Sequence, residues 1–210
     1  MKTRYYIETD GRIYLVPRDG KLDLPILEEI PFQIETLATL ANPAGTVFCA
    51  PKLDKHPEEW LSKDVVSHHP DVAVGVRDAV HATMPRVVAE GICIQEGRVL
   101  LVKGSRGLTK DRWTLPGGFL RFGEDPEVGL LREIQEELGV GATIEAPLGS
   151  RSKLGQHSKL HWILFFYRVQ LHGDPRPDPD EIADVRLFSP REAVEKLADN
   201  VMRDVIQSLC

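Results

Sequence analysis

Apolar and polar positions alternate with period two at the start of the chain. Residues 5–9 (YYIET) and 12–16 (RIYLV) flank Asp10-Gly11, a dipeptide suited to the positive φ angles of a tight hairpin turn. After the Asn42-Pro43-Ala44-Gly45 turn, residues 46–50 read as another strand. Pro57-Glu58-Glu59-Trp60-Leu61 predicts a helix start, and residues 72–83 predict a second helix. Pro70 and Pro85 punctuate this region, which places a boundary near Met84.

The pattern beyond that boundary is denser. Residues 86–95 (RVVAEGICIQ) and 98–103 (RVLLVK) predict two strands around Glu96-Gly97. Arg112-Trp113-Thr114-Leu115 leads into Pro116-Gly117-Gly118, and residues 126–138 carry helical spacing. Strands follow at 142–146, 160–171 and 185–188, with a proline-rich surface loop at 172–180. A single closing helix is expected from Ser189 onward. Ser189 at the N-cap, Pro190 at N1 and Glu192 at N3 form a capping box, and Val194, Leu197, Val201, Val205 and Leu209 recur at helical spacing. Alternating strands and helices predict an α/β fold with a mixed sheet between helices. Residues 1–84 form a small α+β extension and 85–210 the main domain.

Composition narrows the function. A net charge of −6 over 210 residues disfavours a nucleic-acid coat, although a metal can offset negative charge beside a nucleotide. No apolar run is long enough for a membrane span, and MKTRYYIETDG lacks the apolar core of a secretion signal, so a cytoplasmic protein is expected. Cys49, Cys93 and Cys210 are scattered and predict neither a disulfide framework nor a zinc ribbon. His68-His69, with His56 and His81, match no standard zinc spacing.

The densest chemistry lies in residues 118–140, GFLRFGEDPEVGLLREIQEELGV. Asp125 suits an N-cap, Pro126 suits N1 and Gly139 suits the left-handed C-terminal position. Leu130, Leu131, Ile134 and Leu138 fall on one arc of about 100°, and Glu133, Glu136 and Glu137 on the next. The helix can therefore bury its apolar arc while offering three crowded carboxylates, the hard oxygen donors that Mg2+ takes. Arg132 stands one turn before Glu136, and Glu124 can approach the same end. Gly117 and Gly118 let backbone groups come close to a metal or phosphate.

This stretch resembles the Nudix box, G-x5-E-x7-R-E-U-x-E-E-x-G-U with U a bulky aliphatic residue. Gly118, Glu124, Arg132, Glu133, Ile134, Glu136, Glu137, Gly139 and Val140 fill every defined position. The resemblance covers roughly residues 86–210 and implies a Nudix-type α/β/α sandwich. It also implies a hydrolase that cleaves the pyrophosphate of a nucleoside diphosphate linked to another moiety, using Mg2+ or Mn2+. By this resemblance Glu133, Glu136, Glu137 and the Gly117 carbonyl are the metal ligands. Relatives differ over the general base; Glu133 and Glu181, in the acidic loop before residue 185, are the candidates.

Arg86, Arg112 and Gly118 are expected to contact substrate. Trp113 reads as core rather than as a stacking platform, and His157 or His161 could reach the substrate from their loop. The missing zinc ribbon and SQPWPFP motif disfavour an NADH pyrophosphatase. ADP-ribose or another nucleotide sugar is expected, because an added N-terminal unit is frequent among such relatives and in some pairs two subunits into a homodimer. The competing reading is a Nudix-type nucleotide sensor without catalysis, which often shows a degraded box and a basic DNA-binding domain.

Overall fold

The computed structural model describes residues 2–55, 57–155 and 159–209. His56, His157 and Cys210, named above as candidate ligand, substrate contact and thiol, lie outside the described residues. The chain separates into two compact units, residues 1–85 with 154–161, and residues 86–153 with 162–210.

The first unit contains β1 (Tyr5–Thr9), β2 (Arg12–Ile13), β3 (Val16–Arg18), β4 (Lys21–Asp23), β5 (Gln33–Thr39), β6 (Val47–Lys52), β7 (Leu61–Ser62), α1 (Lys63–Val66) and α2 (Val74–Thr83). Its sheet runs β5-β6-β1-β2-β7, and β3-β4 form a separate hairpin. Asp10 and Gly11 both take positive φ, as the first turn requires. Residues 57–61 do not start a helix. Trp60 instead packs against Tyr14 and Phe32, with centroids 5.2 and 5.4 Å away. The helix begins later, at Lys63, where the Ser62 hydroxyl accepts from the Asp64 N–H. Burial of one large aromatic ring outweighed the local helix signal.

The second unit contains β8 (Arg86–Gln95), β9 (Arg98–Gly104), β10 (Trp113–Thr114), β11 (Gly117–Phe119), α3 (Pro126–Leu138), β12 (Ala142–Leu154), β13 (His161–Leu171), β14 (Ile182–Phe188), α4 (Pro190–Lys196) and α5 (Asn200–Leu209). Strands β8 and β9 pair only at Ile94–Val99 and Gln95–Arg98. Beyond that, β8 takes β11 on one side and β13, in parallel, on the other, whereas β9 pairs with β10 and β14.

Both faces of β8 are covered, which explains its nearly continuous apolar reading. Val88 and Ile92 pack with Leu164, Phe166, Leu197, Val205 and Ile206 beneath α4 and α5. Ala89 and Cys93 pack with Leu130, Ile134 and Leu138 of α3. The result is an α/β/α sandwich.

Two expectations change. The closing helix is not continuous. It breaks after Lys196, and the Asp199 carboxylate caps α5 by accepting from the N–H groups of Val201 and Met202. A short polar side chain offers the backbone this alternative to helix continuation. Asp125 holds the N-cap position of α3, but its side chain makes no capping hydrogen bond.

Candidate active site

The site is built where α3 lies against β11. Gly117 has φ of 141°, and a Cβ there would stand 2.1 Å from the Ala89 carbonyl oxygen. A Cβ on Gly118 would stand 2.7 Å from the Glu133 carboxylate. Gly117 therefore needs glycine, whereas at Gly118 the space is taken by the flexible end of the Glu133 side chain.

Arg132 organises one half of these acids. Its Nε and Nη2 donate to the two carboxylate oxygens of Glu124, both at 2.8 Å. Nη1 donates to Glu133 at 2.6 Å and to Glu136 at 2.9 Å, and Nη2 also donates to the Phe119 carbonyl at 3.0 Å. Arg121 adds a bond to Glu136 at 2.9 Å. The guanidinium, its pKa pushed up by these carboxylates, satisfies the network. The same hydrogen bonds hold Glu124 at about 2.

Glu137 is held differently. Its Oε2 accepts from the Gly117 N–H at 3.0 Å, and it is in no ion pair among the described residues. Burial raises its pKa, and the charges of Glu133, Glu181 and Glu136 raise it further, to about 8.

Glu181 reaches this neighbourhood through main-chain contacts. The Arg176 N–H donates to the Leu138 carbonyl at 2.6 Å and the Asp178 N–H to the Glu137 carbonyl at 3.1 Å, so the proline-rich loop closes the C-terminal end of α3. Ser105 N–H donates to the Glu181 carbonyl at 2.9 Å, and the Glu181 carboxylate is paired with Arg106.

Of the other candidate residues, Arg86 opens β8 opposite Trp162, and Arg112 is exposed on the loop before β10. Trp113 packs edge-on against Phe188 at 5.0 Å, in the core beneath α4 and α5. His68 and His69 make local hydrogen bonds with Ser67 and the Asp71 N–H.

Glu90 is the acid that sequence reasoning missed. It lies on β8 opposite Gly117, is 7% exposed, and its Oε2 has no hydrogen-bond partner. Burial pushes its pKa well up, and Glu137 adds to the shift. The signal was a charged residue inside an otherwise apolar strand run.

Among the described residues, no three His, Cys, Asp or Glu groups already converge as a metal cage. The donor set nonetheless fits a hard divalent cation. It is all oxygen, and burial and neighbouring acids disfavour the ionised form of Glu137, a penalty that a bound divalent cation would remove.

Comparison with known proteins finds relatives of the second unit. The NUDIX domain family matches residues 84–209. Over 125 residues the chain is 29% identical to the ADP-ribose pyrophosphatase of Methanocaldococcus jannaschii, spanning 57% of this chain and 74% of that protein. The MutT-like protein of Streptomyces ambofaciens is 26% identical over 124 residues, covering 59% and 76%. The crystal structure of the MutT NUDIX hydrolase from Burkholderia pseudomallei superposes with a TM-score of 0.53 at 26% identity, across 60% of this chain and 99% of that one.

Proposed function

Because this chain belongs to the NUDIX family, we propose that it is a cytoplasmic, Mg2+-dependent pyrophosphohydrolase, with Mn2+ as an alternative metal. Its substrate is a nucleoside diphosphate linked to a second moiety, with ADP-ribose or another nucleotide sugar as the leading choice. The observation that carries this reading is Glu137: a half-buried carboxylate at about 8, crowded by Glu133, Glu136 and Glu181 and in no ion pair among the described residues. A likeness of 29% to an ADP-ribose pyrophosphatase supports the substrate class.

Glu133, Glu136, Glu137 and the Gly117 carbonyl would hold the metal. Bound there, a divalent cation neutralises pyrophosphate charge and makes water a stronger acid. The chain's own residues supply the rest. Arg132 fixes the orientation of Glu133 and Glu136 through its Nη1. Glu181, anchored by its main chain to Ser105, takes the proton from the attacking water, a role for which Glu133 is the alternative. Gly118 lets the substrate approach the Glu133 side of the helix, and Arg86 and Arg112 attract its phosphates. Residues 1–84 serve as a unit that pairs two copies or completes the substrate cleft, by analogy with relatives that carry such an extension.

The deciding experiment incubates the protein with Mg2+ and a panel of nucleoside diphosphate derivatives, and follows release of a nucleoside monophosphate. Cleavage of ADP-ribose or another nucleotide sugar is expected. Nucleotide binding with no product from any member of the panel would sink the hydrolase reading and leave a sensor.

A further inference from the structure

By strand alternation Glu90 shares the face of β8 that carries Val88 and Ile92. Its cross-strand neighbours are Gly117 on β11 and Phe166 on β13. Nearer the start of β8, Phe119 stands opposite Val88 and Trp162 opposite Arg86. The Phe119 and Trp162 rings meet there with centroids 5.5 Å apart and planes at 41°. Phe119 remains 51% exposed beside the half-buried Trp162 ring.

A cation completes the group. Lys153 Nζ lies 5.9 Å from the Trp162 centroid and is paired with Asp199. In the sheet, the Glu90–Gly117 pair stands one same-face step along from the Val88–Phe119 pair. One feature of Glu90 is unresolved by the protein itself. A buried carboxylate oxygen with no donor among the described residues is costly, so such an oxygen calls for a donor from outside the chain.

The requirements of these four side chains coincide. An exposed ring beside a half-buried one takes a flat ring on its face, and Lys153 favours an electron-rich one. The orphaned acceptor takes an N–H or O–H donor. A nucleoside supplies all of these a short distance from its diphosphate. A sugar on the far side of the diphosphate offers hydroxyl donors but no flat ring.

We propose that Phe119, Trp162, Lys153 and Glu90 form the nucleoside subsite, with the base stacked on the Phe119–Trp162 pair and Glu90 accepting from a donor of the same nucleoside. This rests on the pyrophosphohydrolase reading for the presence of a nucleotide at all. Glu90 then acts as a specificity residue, separating bases by their donor pattern, and the acidic cluster handles the diphosphate.

The test uses nucleoside 5′-monophosphates, which have no pyrophosphate bond to cleave. Their binding to the full-length protein is measured by calorimetry with Mg2+, beside ribose 5-phosphate, which has no base. At least one monophosphate is expected to bind tenfold or more tighter than ribose 5-phosphate. Phe119→Leu should weaken that binding about tenfold, the scale of one stacked base, and leave ribose 5-phosphate unchanged. Glu90→Gln, which keeps the shape of the side chain, should reorder the four bases. The proposal is overturned if every monophosphate binds no tighter than ribose 5-phosphate, or if both variants keep the wild-type affinities and order. Because no turnover is read, absence of product in the hydrolysis panel alongside the expected binding pattern would remove the hydrolase reading and support the subsite.

Discussion

Glu124 and Glu137 carry the same carboxyl group, yet the fold holds the first at about 2 and pushes the second up to about 8. Glu124, Glu133 and Glu136 all share the Arg132 guanidinium. Glu137 has one backbone N–H, and the buried Glu90 Oε2 has no partner. The difference teaches how an acidic helix can fold without first binding a metal. One arginine compensates the acids that shape the helix, and the remaining acids, short of donors, are pushed toward their protonated form.

The sharpest way to break this contrast is Glu137→Gln. Under the proposed function kcat/KM should fall by about three orders of magnitude, roughly 4 kcal/mol of transition-state stabilisation. A steady-state assay with near-normal turnover would end the distinction between the two carboxylate classes. Arg132→Leu attacks the compensated half instead. It strands three carboxylates around an apolar side chain, and guanidinium melts at pH 7 should report a loss of about 3 kcal/mol.

The third expectation concerns pH in the absence of metal. Glu137 has a folded pKa raised to about 8, above an unfolded value near 4. The folded state therefore binds more protons between these values, and stability from this group is complete below about pH 4 and lost as pH rises through about 8. A rise of that size corresponds to at most about 5 kcal/mol, and less where water screens this half-buried group. Urea melts in EDTA should therefore show stability falling across that window, and added Mg2+ should reverse the loss. Stability that rises with pH over the same window in EDTA would contradict the assignment. The smallest effect belongs to Arg121→Ala. That side chain is 65% exposed, so its pair with Glu136 should contribute below about 0.5 kcal/mol. A loss matching that of Arg132→Leu would show that the network is not centred on Arg132.

Much of the second unit was legible because its signals are local. Pro126, Gly139, the apolar arc and the glutamate spacing all fall within one helix, and α3 runs Pro126–Leu138 with Gly139 in the left-handed region as expected. Glu90 was not legible as part of the site, because its cross-strand neighbour Gly117 is separated from it in sequence and meets it only through sheet pairing. The break before α5 was hidden for a related reason. Val201, Val205 and Leu209 keep helical spacing on both readings, and only the cap by Asp199 and the bond from Arg203 to the Leu197 carbonyl decide between them. In the first unit the strands are short, and residues such as Trp60 are placed by distant rings rather than by neighbours in sequence.

The proline-rich loop closes on α3 through the main-chain N–H groups of Arg176 and Asp178. Such contacts are indifferent to side-chain identity. Residues 174–180 can drift in sequence while the position of Glu181 relative to the helix end is inherited unchanged. Over evolutionary time this segment can acquire new surface chemistry, and the neighbouring carboxylates need not be re-optimised with each change.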